Sequence, residues 1–190
     1  MEELKILSPL EKYILMLLYA GGGAEGQLWL QKEVFVLSRA LEELAEEVDF
    51  EAFGYGPYSE AVEECRNALE NSGLVAGTQL TEEGRVIAAT LWETVSSQEK
   101  EVIKATVEFF ESLSRDELLL YICVMYPNMI EKSKEMDRIL KQREKIALKM
   151  LRDEKVSLSL AAMLAGLSAE EMLEMALKHG VNPLSGMRQL

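Results

Sequence analysis

Four times in this chain a serine stands three positions ahead of a glutamate where a helical pattern begins: Ser8-Pro9-Leu10-Glu11, Ser96-Ser97-Gln98-Glu99, Ser114-Arg115-Asp116-Glu117 and Ser168-Ala169-Glu170-Glu171. In each, the serine oxygen can accept one of the orphan N–H groups that open a helix, and the glutamate can reach back to the cap N–H. Pro9 suits the first helical position, where its missing N–H is no loss. A β protein has no use for four such starts, so the chain is expected to be mainly α.

The apolar periodicity places the elements. A first helix over 9–20 ends in Gly21-Gly22-Gly23. A second, over 28–48, carries the stripe Leu30, Val34, Leu37, Leu41, Leu44, Val48, one buried face, with Glu42, Glu43, Glu46 and Glu47 opposite. A turn-rich segment, Phe53-Gly54-Tyr55-Gly56-Pro57-Tyr58, leads to a third helix over 59–71 that buries Val62, Cys65 and Leu69. A short extended piece turns at Gly77, and Thr81 caps a fourth helix to about Val95. That order predicts an N-terminal winged-helix-like domain with a small β wing over 1–95; a helical bundle with one loop is the alternative.

Further helices are expected near 97–112, 115–126, 131–153, 157–165 and 169–179. Residues 96–153 then form a helical linker and dimerisation region, and 154–190 a helix-turn-helix that turns at Gly166, with small Ala161 and Ala162 allowing close approach. Two plain antiparallel helices are the alternative there. The middle region holds Val102, Ile103, Val107, Phe109, Phe110, Leu118, Leu119, Leu120, Tyr121 and Ile122. That is more apolar surface than one small domain covers, which predicts a two-fold homodimer.

Charge divides the chain. The net charge is −13, yet the first 95 residues hold six basic against eighteen acidic residues, and Lys132–Lys155 holds nine against five. Phosphate contact is therefore confined to the second half. Lys134, Arg138, Lys141, Lys145, Lys149 and Arg152 share one face of a continuous helix, and Lys178 follows in the last helix; double-stranded DNA is the candidate partner, a solvated face the alternative. Phe53, Tyr55 and Tyr58, with Trp29 nearby, form either a rigid turn packed on the second helix or a partner-binding pocket, since such rings dominate interface hot spots.

Catalysis has little to work with. The one histidine, His179, precedes Gly180 at a helix end, where it can cap free carbonyls. Cys65 and Cys123 stand 58 positions apart, each on an apolar stripe, in no metal-type spacing. The segment Gly21–Gly26 lacks the Lys-Ser/Thr of a phosphate loop and reads as a connector. The run Glu42–Glu51 lacks the spacing of a calcium loop. No enzyme, cofactor or metal is expected. No apolar run approaches a membrane span, and the start Met1-Glu2-Glu3 carries no basic leader, so a cytoplasmic protein with reduced thiols is expected.

Two resemblances sharpen this. Leu28-Trp29-Leu30-Gln31-Lys32-Glu33-Val34-Phe35, followed by Phe53-Gly54-Tyr55-Gly56-Pro57-Tyr58-Ser59-Glu60-Ala61-Val62, resembles the Panacea-type antitoxin domain and related prokaryotic winged-helix proteins, in which a Leu-Gln-Lys helix precedes a Tyr-Gly-Pro turn. It covers roughly the first 90 residues. The segments Ala147–Leu151, Lys155–Leu158, Ala161-Ala162, Leu164–Ser168, Glu171-Met172 and His179–Val181 resemble a small antitoxin-like helix-turn-helix family whose members are proposed to partner a toxin. This covers about the last 40 residues, and Glu170, Glu171 and Glu174 depart from it by making the would-be recognition helix acidic. The resemblances imply an antitoxin-like or transcriptional regulator that binds a toxin protein and, through its second half, DNA. An interaction adaptor or homodimer without a DNA role is the alternative.

Overall fold

The structure, a computed structural model, describes residues 7–183. The outer ends of the expected first and last segments, 1–6 and 184–190, lie outside the described residues. The protein is mainly helical, with one small antiparallel sheet. It divides into two compact units: the chain up to Glu51 with Pro57–Glu111, and Ala52–Gly56 with the chain from Ser112 onward. This division does not coincide with the expected breaks after residues 95 and 153.

The first unit comprises α1 (Pro9–Gly21), α2 (Gln27–Ser38), α3 (Glu42–Ala45), α4 (Glu60–Asn71), β1 (Val75–Ala76), β2 (Gln79–Leu80), α5 (Glu82–Thr94) and nearly all of α6 (Ser97–Ser112). α1 is its axis, packed by α2, α3, α4, α5 and β2. Six consecutive residues, Tyr13–Leu18, are buried, as befits a helix enclosed on every side. Its capping box forms, with Glu11 N–H donating to Ser8 Oγ and Ser8 N–H to Glu11 Oε2, and Gly22 ends it in the left-handed conformation. The glycine-rich stretch is a connector: Ala24 N–H donates to Thr78 O, and Thr78 Oγ1 donates to Ala24 O.

The expected helix over 28–48 breaks. After Ser38 the chain turns, with Ala40 and Leu41 N–H both donating to Leu37 O, and Leu41 is extended at φ −122°. Leu30, Val34, Leu37, Leu44 and Val48 are nevertheless buried. The stripe reported which residues face the core; two helices joined by a turn satisfy it as well as one. Neither glycine nor proline marks the break. In α4, Val62 and Leu69 are buried as expected, whereas Cys65 is half-buried and Arg66 is buried. The hairpin pairs Val75 with Leu80 and Ala76 with Gln79. α5 starts hard against it: a Cβ on Gly84 would lie 1.9 Å from Leu74 O, so only glycine fits.

The second unit holds residues 52–56, α7 (Arg115–Met125), a 3-10 turn (Pro127–Met129), α8 (Lys134–Lys141), α9 (Arg143–Arg152), α10 (Leu158–Ala165) and α11 (Ala169–Lys178). Leu118, Leu119, Leu120 and Ile122 of α7 are buried, as are Ile103, Val107 and Phe110 of α6. Only Val102, Phe109 and Tyr121 of the expected dimer surface are half-buried. Most of the residues on which the expected homodimer rested are thus buried within the chain and offer no free apolar surface.

The expected helix over 131–153 also breaks. Ser133 caps α8 at Met136 N–H, and Gln142 interrupts at φ −107°, ψ 8°. The six cations thus do not share one helix face. α9 ends with Lys155 N–H donating to Met150 O across Glu154, a non-glycine residue at φ 57°. α10 and α11 join at Gly166, φ 74°, where an added Cβ would meet the Arg143 guanidinium at 2.7 Å. That guanidinium caps α10, donating from Nε to Leu164 O and from Nη2 to Met163 O.

Candidate functional site

In the first unit the residues that carry the Leu-Gln-Lys motif point inward. Every residue from Trp29 to Phe35 is buried, including Gln31, Lys32 and Glu33. Gln31 Nε2 donates to Ser59 O at 2.9 Å, and Ser59 N–H donates to Gln31 Oε1 at 2.9 Å, a two-bond clasp of the kind one strand offers another. Lys32 Nζ donates to Pro57 O at 2.8 Å. The motif is therefore a latch: one turn of α2 holds Pro57 and Ser59 by their backbones. Burial pulls the Lys32 ammonium down to about 8. Burial, with the nearby charge of Glu111, pushes the Glu33 carboxyl up to about 8.

The four expected partner-binding aromatics divide between the two units. Trp29 belongs to the first unit, buried, its Nε1–H donating to Phe110 O at 3.3 Å. Tyr58, also in the first unit, is half-buried; its hydroxyl donates to Glu63, and its backbone pairs with Glu51 in both directions. Phe53 and Tyr55 belong to the second unit and face water, 54% and 44% exposed. Their backbone is fixed. Phe53 forms a bridge with Ile130, its carbonyl accepts from Glu131 and Gly56 N–H, and Ser133 Oγ donates to Gly54 O. The Arg115 guanidinium lies 5.2 Å from the Tyr55 ring centroid.

The seven expected phosphate-contacting residues, Lys134, Arg138, Lys141, Lys145, Lys149, Arg152 and Lys178, meet different fates. Arg138 grips Asp116 with both terminal nitrogens, at 3.0 and 2.7 Å, and also holds Glu135. Lys149 donates to Glu117 and Asp153, both at 2.9 Å. Lys134, Lys141, Lys145, Arg152 and Lys178 are exposed and form no ion pair among the described residues. The hub that consumes the cations is Glu117 of α7. It is buried, accepts from Ser114 N–H, Lys149 and Lys155, and closes the capping box of its own helix. Burial raises its carboxyl, but the bonds from Lys155, Ser114 N–H and Lys149 outweigh that and hold it at about 2.

A cleft of about 470 Å³ opens beside this hub, walled by the start of α7, the Lys145–Lys149–Arg152 face of α9 and His179 at the end of α11. Sequence reasoning found the α9 cations but missed Glu117, whose partners stand 32 and 38 positions away. It also passed over the inward-facing Gln31 and Lys32, although the family resemblance had marked both.

At the end of α11 the backbone makes the cap: His179 N–H donates to the Met175 and Ala176 carbonyls, and Gly180 N–H to the Leu177 carbonyl. Both cysteines are thiols, and burial pushes the Cys123 thiol up, away from the thiolate a nucleophile needs. Among the described residues no group of His, Cys, Asp and Glu is arranged to hold a metal, and no helix is long and apolar enough to cross a membrane. No known protein family, curated protein or solved structure matches the chain.

Proposed function

We propose that the chain is a non-enzymatic regulatory protein of the antitoxin type that works in the cytoplasm, and that its second unit makes the contact with a partner protein. The observation that carries this reading is the outward placement of Phe53 and Tyr55 on a backbone fixed at Phe53, Gly54 and Gly56 by a bridge and three hydrogen bonds. Exposed aromatic rings on a rigid turn bind at low entropic cost. The first unit serves as a winged-helix module; its order of helices, short hairpin and closing helix supports that reading.

Contact with double-stranded DNA is a second reading, favoured by the exposed Lys134, Lys141, Lys145, Arg152 and Lys178, which form no ion pair among the described residues. In it the α10–Gly166–α11 pair acts as a helix-turn-helix. The exposed Glu170, Glu171 and Glu174 of α11 leave Lys178 as its lone cation, so such binding rests on phosphates and discriminates sequence weakly.

The test is genetic. The reading frame beside this gene, expressed alone, is expected to arrest growth, and co-expression with this chain to restore it. A Phe53→Ser/Tyr55→Ser variant that melts like the parent is expected to lose the rescue. No arrest, or rescue by that variant, contradicts the proposal.

A further inference from the structure

The cleft at the start of α7 is walled by two carboxylates, Asp116 and Glu117, and three cations, Lys145, Lys149 and Arg152. Both carboxylates are already matched. Arg138 holds Asp116, while Lys149 and Lys155 hold Glu117. Lys145 and Arg152 are matched by nothing among the described residues, so the uncompensated charge of the wall is positive. They sit seven positions apart on α9 with Lys149 between, two turns of one helix face. Arg152 offers a planar fork suited to two phosphate oxygens, and Lys145 a point charge. Beside them Ile146 and Leu148 supply an apolar wall.

The volume, about 470 Å³, lies in the range of small-ligand sites and far exceeds what a bare anion fills. The geometry points to a binding site for a small phosphate-bearing molecule of about nucleotide size, its phosphate held by Lys145 and Arg152 and its less polar part resting on Ile146 and Leu148. This site is separate from the aromatic turn and stands whether or not the partner-protein reading holds.

Isothermal titration of the full chain with inorganic pyrophosphate at low salt tests it. Saturable binding of one pyrophosphate per chain is expected. Lys145→Glu/Arg152→Glu is expected to weaken it at least tenfold, and the neutral Lys145→Gln/Arg152→Gln pair to weaken it by less. Lys134→Glu/Lys141→Glu, which reverses two cations outside the cleft, is expected to leave it within twofold. Both residues of the cleft pair are exposed, so melting curves of all variants should match the parent. Absence of saturable binding, or equal loss in the cleft and outside variants, overturns the proposal. So does a short DNA duplex that displaces pyrophosphate at tenfold lower concentration, an outcome that would give the cations to nucleic acid.

Discussion

Glu33 in the first unit and Glu117 in the second are equally hidden from water, 2% and 1% exposed, yet their carboxyls move in opposite directions. Burial pushes both up. Glu33, with the charge of Glu111 added, reaches about 8 and carries its proton at neutral pH. At Glu117, Lys155, Ser114 N–H and Lys149 overcome the same burial and hold the group at about 2. The supply of partners, more than depth, decides whether a buried carboxylate keeps its charge. The first unit buries its polar motif to clasp its own backbone. The second unit gathers cations around one anion and has some left over at the surface, where a ligand can use them.

The contrast can be broken most forcefully at Glu117. Glu117→Ala removes the cap partner of α7 and strands Lys155, whose side chain is 18% exposed, without its anion. We expect a loss of about 3 kcal/mol in urea denaturation at pH 7. In the parent this stabilisation is complete above the ordinary carboxylate range and fades as pH falls toward about 2, because the folded state holds its charge where the unfolded chain takes up a proton. Glu117→Gln should lack that acid slope.

Glu33→Gln should act with the opposite sign. Between the ordinary carboxylate range and about 8 the folded parent keeps a proton that the unfolded chain releases, so its stability falls as pH rises through that window. Glutamine removes the slope, and the variant should exceed the parent by about 2 kcal/mol at pH 8. Lys32 opposes this above about 8, where the folded state sheds a proton that the unfolded chain retains and stability climbs again. A smaller effect is expected at Glu154, whose left-handed backbone turns the chain so that Lys155 follows toward Glu117. Glu154→Gly should relieve strain and gain about 1 kcal/mol, read as a higher urea midpoint with an unchanged slope.

The elements the sequence made legible are those set by local chemistry. Three of the four serine caps close their boxes as assigned helix starts, and Ser96 exchanges the same bonds with Glu99. Thr81 and Gly166 act where expected. The two long helices were misread because an apolar stripe survives a turn: Leu37 and Leu44 are buried on either side of the break at Leu41. The basic stripe was legible as a surface, but not which of its members are already paired. Periodicity places Arg138 and Lys149 on a surface, but their acidic partners Asp116 and Glu117 lie 22 and 32 positions back, beyond any local pattern. Of the candidate aromatics, Trp29 and Tyr55 look alike in sequence, and only packing separates a buried ring bonded to Phe110 O from one facing water.

Labour is divided between Gln31, which builds, and Tyr55, which faces outward. Scanning calorimetry of Gln31→Ala and Tyr55→Ala beside the parent tests this division directly. Gln31→Ala leaves the buried Ser59 N–H without its acceptor and takes from the Ser59 carbonyl one of its two donors, with Glu63 N–H remaining, a loss of about 2 kcal/mol, and the melting temperature should drop by roughly 4–8 °C. Tyr55→Ala should melt within about 1 °C of the parent, as surface substitutions do. A large drop for Tyr55→Ala, or none for Gln31→Ala, would contradict the account.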